Sequence, residues 1–125
     1  MLRTYLQKKI YRQFTGEKQF ILRNRVPSED ELHAEFQNIN ELGIYLHIPF
    51  CRYICPYCPY NKELYKPESA KKYTASVLKE IDYYASVIGK RPVTSFYIGG
   101  GTPTTLLNNG IETIISHIYS SFNMN

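Results

Sequence analysis

Residues 44–58 read Ile44-Tyr45-Leu46-His47-Ile48-Pro49-Phe50-Cys51-Arg52-Tyr53-Ile54-Cys55-Pro56-Tyr57-Cys58. The run from Ile44 to Ile48 is β-branched and aromatic, and a proline ends it. It predicts a buried strand. Behind the strand, Cys51, Cys55 and Cys58 fall within eight residues in a C-x3-C-x2-C arrangement, and the other 117 residues hold no cysteine. Pro56, Pro59 and Asn61 make the segment 51–62 a predicted loop. A secreted disulfide scaffold spreads an even number of cysteines along its chain. Three crowded thiols read instead as metal ligands in a reducing compartment.

Downstream, Pro67 to Ile88 turns helical. Tyr73, Val77, Ile81, Tyr84, Ala85 and Ile88 form the apolar stripe, with Pro67 near the first position and Gly89 as the stop. Val93-Thr94-Ser95-Phe96-Tyr97-Ile98 reads as a second strand, broken by Gly99-Gly100-Gly101-Thr102-Pro103. Ile111, Ile114, Ile115, Ile118, Tyr119 and Phe122 give a last helix at helical spacing. From residue 44 the order is therefore strand, loop, helix, strand, loop, helix. Such alternation implies βαβ units with parallel strands, whose ligands gather at the strands' carboxyl ends. Both unusual loops, 51–62 and 99–105, follow strands. On neighbouring strands they face one ligand space.

Upstream, Ser28-Glu29-Asp30-Glu31 matches a capping box, and Leu32, Phe36 and Ile39 mark one face of a short helix over about 29–39. Residues 1–26 carry Leu2, Tyr5, Leu6, Ile10, Tyr11 and Phe14 at helical spacing, opposite Arg3, Lys8, Lys9 and Arg12. This block holds seven Lys or Arg against one Glu, net +6, so the remaining 99 residues are net −2. A basic amphipathic helix either touches an anionic surface or simply presents a solvated basic face.

The whole chain of 125 residues suffices for one small domain. Its 43% apolar and 21% charged residues fit a globular fold. A net charge of +4 is too weak to imply nucleic acid. No apolar run approaches the roughly 18 residues of a membrane span, and the N-terminus does not read as a secretory signal.

Soft thiolates hold zinc or iron–sulfur clusters. Structural zinc takes four ligands, and His47 is the candidate that would complete a Cys3His site. His33 and His117 lie on predicted helices with no visible partner. A [4Fe–4S] cluster normally takes four cysteines, so three leave one iron open to a small ligand, an arrangement better suited to catalysis than to structure. Gly99, Gly100 and Gly101 let a ligand lie against the backbone, whose N–H groups can bind a carboxylate or a ribose hydroxyl. The segment is neither a P-loop nor a G-x-G-x-x-G motif.

Tyr45-Leu46-His47-Ile48-Pro49-Phe50-Cys51, the three-cysteine spacing, and Tyr97-Ile98-Gly99-Gly100-Gly101-Thr102-Pro103-Thr104 together resemble the radical S-adenosylmethionine (SAM) superfamily. Within it they resemble the oxygen-independent coproporphyrinogen III oxidase family, which also contains a haem chaperone and enzymes that methylate or open porphyrin rings. The resemblance covers roughly residues 42–122. It implies that Cys51, Cys55 and Cys58 each bind one iron of a [4Fe–4S] cluster whose fourth iron chelates SAM. It places Tyr45, Gly100, Gly101 and Thr102 on SAM, with Gly99 in the same stretch and Tyr57 beside the cofactor. It implies reductive cleavage of SAM to a 5′-deoxyadenosyl radical for tetrapyrrole chemistry, a tetrapyrrole substrate or haem, a reductant protein such as flavodoxin or ferredoxin, and a cytoplasmic location. The family's oxidase carries a further cysteine two residues after the last cluster ligand. Here that position is Tyr60, which shifts weight toward the haem-chaperone relatives.

The implied fold is α/β: two βα units from the N-terminal portion of a partial (β/α)6 barrel, residues 42–125, behind a basic, helical N-terminal extension, residues 1–41. A full (β/α)8 barrel takes about 250 residues. The chain is thus expected to be a fragment that is marginally stable and inactive alone, unless a complementary C-terminal chain covers its open strands.

Overall fold

The computed structural model describes residues 27–108 and 110–125. The basic helix read over residues 1–26 lies outside the described residues. Helix α1 spans Glu29–Phe36. Strand β1 runs Leu42–Ile48, and two short strands follow, β2 at Phe50–Cys51 and β3 at Glu63–Leu64. Helix α2 covers Pro67–Ile88 and strand β4 covers Pro92–Gly100. A single 3-10 turn at Pro103–Leu106 leads to helix α3, Ile111–Ser121, and strand β5, Asn123–Met124.

The main sheet has the order β1-β4-β5, with both pairings parallel. Spatial order follows chain order, so the sheet winds in one direction, as a barrel wall does. A doubly wound fold would reverse its strand order and cover both faces. Burial agrees. Leu46, Ile48 and Val93 point into a core shared with Val77, Ile81 and Ile88 of α2 and Ile111, Ile114 and Ile118 of α3. On the opposite face Tyr45 is 55% and Tyr97 67% exposed. The two-residue period of β1 thus sends Leu46 and Ile48 to the helices and Tyr45 and His47 to the open side.

The register slips between Leu42 and Gly43, pairing Leu42 with Val93 but Gly43 with Ser95. The extra residue, Thr94, lets both Val93 and Phe96 turn to the core side. Phe50, Ile48, Leu106 and Ile114 are almost wholly enclosed. Each such side chain contributes about 1.5–3 kcal/mol of burial.

The predicted caps form. The Ser28 hydroxyl accepts from the Glu31 amide at 3.3 Å, and the Ser28 amide donates to the Glu31 carboxylate at 3.0 Å. Pro67 opens α2, and Gly89 closes it at φ 68°. Several boundaries differ from expectation. Helix α1 ends at Phe36, not near residue 39, because Asn38 and Asn40 compete with helical hydrogen bonding. The Ile39 carbonyl instead accepts from Arg91 Nε at 3.0 Å. The glycines do not break β4 at residue 99, since Gly99 and Gly100 stay in register opposite His47 and Ile48. The loop read as 51–62 begins inside a strand, because β2 and β3 pair in parallel, Phe50 with Glu63 and Cys51 with Leu64. The last helix stops at Ser121, and its expected end, Phe122, leads into β5. That third strand is two residues long, too short to give a periodic signal. His117, read as partnerless, has its Nε2 2.7 Å from the Asp82 carboxylate, linking α3 to α2.

Candidate functional site

The carboxyl ends of β1 and β4 are laced together at one point. The Gly101 amide donates to the Ile48 carbonyl at 2.7 Å, and the Thr102 amide to the Phe50 carbonyl at 2.8 Å. A β-carbon on Gly101 would lie 2.6 Å from the Phe50 oxygen and 2.7 Å from Cys51 Sγ. Only a residue without a side chain permits that approach. Thr102 Oγ1 stands 3.8 Å from the same sulfur. Gly100 holds φ 108°, and a β-carbon there would meet the Ile48 oxygen at 2.6 Å and His47 Cε1 at 2.8 Å. The glycine stretch and the first cysteine therefore form one packed unit.

On the open face, Tyr45 and Tyr97 stack with centroids 5.8 Å apart and planes 14° apart. They are register partners across β1 and β4. Gly99 makes room for them, since its β-carbon would come 2.8 Å from Tyr97 and 3.0 Å from Tyr45. Tyr45 Oη lies 3.0 Å from His47 Nδ1, and His47 Nε2 lies 3.0 Å from the Asn61 carbonyl. Both ring nitrogens of His47 are thus bonded to protein and not turned toward the cysteines as a fourth zinc ligand in this arrangement.

The cysteine loop is held at its two ends. Beyond the β2–β3 pairing, the Glu63 amide donates to the Pro49 carbonyl at 2.8 Å and the Tyr65 amide to the Cys51 carbonyl at 2.9 Å. Lys62 Nζ donates to the Cys58 carbonyl at 2.7 Å and sets a positive charge beside the loop. The Cys58 amide bonds the Cys55 carbonyl at 3.2 Å, a turn that carries Tyr57 outward to 87% exposure. All three cysteines are free and half-buried. Among the described residues, no three His, Cys, Asp or Glu side chains converge as metal ligands. The structure joins Cys51 to Gly101 and Thr102, and Tyr45 to Gly99, while leaving Cys55, Cys58 and Tyr57 on the loop. The chemistry of the set still fits an iron–sulfur cluster: three soft thiols free of disulfides, the first cradled where a β-carbon would intrude.

From the helix side, Tyr73 donates its hydroxyl to the His47 carbonyl and packs edge-on against Phe50, centroids 5.4 Å apart. Burial pushes the Tyr73 phenol up to about 12, with Glu80 and Tyr45 adding to the effect, so it remains a donor. The sequence marks Tyr73 as part of an apolar helix stripe, Tyr97 as a strand residue before the glycines and Asn61 as a loop former, with no site role attached to any of the three. Strand period and register place Tyr97 beside Tyr45, but the Asn61 carbonyl is backbone and leaves no residue-type signal.

The family model for the radical SAM superfamily matches residues 45–120. The chain belongs to the radical SAM superfamily. Within it, the chain is similar to two kinds of protein. It is 32% identical to the heme chaperone HemW of Bacillus subtilis over 59% of its own length and 20% of that protein. It is likewise 32% identical to the oxygen-independent coproporphyrinogen III oxidase of Pseudomonas aeruginosa, over 76% of the chain and 22% of that protein. The solved structure of Escherichia coli coproporphyrinogen III oxidase (HemN), described as a radical SAM enzyme, aligns with a TM-score of 0.72 at 29% identity, covering 79% of this chain and 24% of that one. The chain thus spans about a fifth of the length of the curated relatives it matches. Among the described residues, no helix is long and apolar enough to cross a membrane.

Proposed function

We propose that this chain supplies the cluster-binding and SAM-binding corner of a cytoplasmic radical SAM protein that handles a tetrapyrrole. The observation that carries the reading is the contact of Cys51 with Gly101 and Thr102, which packs a thiol against the glycine turn at the same strand ends. Cys51, Cys55 and Cys58 would hold three irons of a [4Fe–4S] cluster. Tyr45, Gly99, Gly100, Gly101 and Thr102 would lie along SAM, with Tyr57 closing over from the loop. When bound, the cluster supplies the electron that splits the carbon–sulfur bond of SAM. The chain's own residues orient and shield: the glycines let the strand ends close on Cys51, Thr102 adds a hydroxyl beside Cys51, and Lys62 sets a positive charge at the loop.

A domain of residues 42–125 with an extension over 1–41 would then form one part of the barrel, and a complementary C-terminal segment would supply its other strands. A reductant protein such as flavodoxin or ferredoxin would deliver the electron. Tyr60, 60% exposed and carrying no thiolate, favours a haem-handling protein over the oxidase. Anaerobic reconstitution with iron and sulfide tests the reading. About four iron and four sulfide per chain are expected, with SAM cleavage on reduction once the complementary segment is present. Zinc without colour would sink it. Decarboxylation of coproporphyrinogen, as against haem binding without turnover, separates the two activities.

A further inference from the structure

His47 touches three parts of the site at once. Its Nε2 faces the Asn61 carbonyl at the exit of the cysteine loop, its Nδ1 faces the Tyr45 hydroxyl, and its ring edge lies where a Gly100 β-carbon would come within 2.8 Å of Cε1 and 3.0 Å of Nδ1. The Asn61 carbonyl can only accept, so Nε2 carries the hydrogen. In the neutral ring Nδ1 is then a bare acceptor. The hydroxyl of Tyr45 must therefore donate to it. A phenol has one hydrogen, and once this is committed to Nδ1 the oxygen can offer a ligand only lone pairs.

We propose that His47 is a positioning residue locked in its Nε2–H tautomer. It ties the exit of the cysteine loop to β1 and fixes Tyr45 as a pure hydrogen-bond acceptor toward the open face of the sheet. Tyr45 thereby selects the side of a ligand that presents N–H or O–H, such as an ammonium or a ribose hydroxyl, and turns away a carboxylate. The proposal deepens the cofactor reading above and rests on it for the ligand's identity. The tautomer itself does not depend on that reading.

The test begins with the full chain labelled with nitrogen-15 in its histidine rings. Long-range proton–nitrogen correlation at mildly alkaline pH, with His47→Gln assigning the signals, is expected to show His47 as Nε2–H. Tyr45→Phe is expected to move the Nδ1 resonance toward that of an unbonded acceptor and to leave Nε2–H in place. An Nδ1–H tautomer, or an Nδ1 signal indifferent to Tyr45→Phe, overturns the proposal.

Two conservative variants then separate the contacts in the reconstituted chain. His47→Gln keeps an amide donor near the Nε2 position. It is expected to retain iron and protease resistance over 52–62 while losing SAM affinity about tenfold. His47→Asn keeps an acceptor near the Nδ1 position and loses the loop tether. Several-fold faster cleavage of the loop is expected, together with lower iron content. Equal damage in both variants would show a merely structural residue and overturn the proposal. Absence of SAM binding in the unmutated chain, with the tautomer and the loop split as expected, would overturn the cofactor reading alone.

Discussion

Cys51 and Gly101 are in contact across two strands, with no room between the sulfur and the backbone for a single methyl group: the missing β-carbon would lie 2.7 Å from Sγ. The pair joins the two motifs that define the site, so a change at the glycine is felt at the thiol.

Gly101→Ala is expected to destabilise the fold by about 1–3 kcal/mol, the usual cost of overpacking. The neighbouring atoms include the Phe50 and Pro49 carbonyls, and backbone cannot swing aside as a side chain tip can. Chemical denaturation measures the loss. Iron content after reconstitution is expected to fall with it.

Replacing any one cysteine with serine is expected to leave the fold's denaturation midpoint nearly unchanged in the metal-free chain. The thiols are free and none is fully buried. In the metal-loaded chain the same substitutions should cut bound iron severely, because metal affinity depends on the complete thiolate set. Stripping iron with a chelator is expected to speed proteolysis over 52–62 and to spare α2 and α3. Equal cleavage before and after chelation would show that the loop holds no metal.

Tyr73→Phe removes the donor to the His47 carbonyl and leaves the ring against Phe50. A cost of about 1 kcal/mol is expected near neutrality. The pH dependence carries a sign. The folded phenol titrates near 12 against an ordinary 10.0, so the folded state holds its proton longer than the unfolded chain. Stability from this group is complete below pH 10 and declines as pH rises toward 12. The alkaline limb of a stability–pH curve should flatten in Tyr73→Phe.

Ile114→Ala empties a wholly buried position of α3 and is expected to cost about 2–5 kcal/mol. Asp82→Asn, at a surface pair with His117, is expected to cost less than about 1 kcal/mol. Thermal melts of the two variants should therefore differ widely. A similar loss in both would mean that the α2–α3 contact is held by charge and not by packing.

The larger elements were legible because each carries a repeated signal. Tyr73, Val77 and Ile81 announce α2 through their spacing, and Ser28 with Glu31 announces the start of α1. The parallel pairing of β1 and β4 followed from alternation. What sequence could not supply was anything made by backbone or by two residues: the β2–β3 bridge, the two-residue β5, and the Asn61 carbonyl that engages His47 Nε2. The cysteine motif named three residues, but the fold gathers only Cys51 with the glycines. Pro56 and Pro59 set the path of the loop that carries Cys55 and Cys58.

The β2–β3 bridge has a kinetic meaning. It clamps the ends of the cysteine loop, Phe50 to Glu63 and Cys51 to Leu64, through backbone alone. Closing a flexible loop costs entropy that grows only slowly with length, and here strand pairing meets that cost before any metal arrives. Tethering turns the second and third thiol encounters into intramolecular ones at high effective concentration. An ion captured at the anchored Cys51 would then meet its remaining ligands without a diffusional search. On the proposed reading the bridge would favour assembly that starts at the strand and finishes at the loop tip.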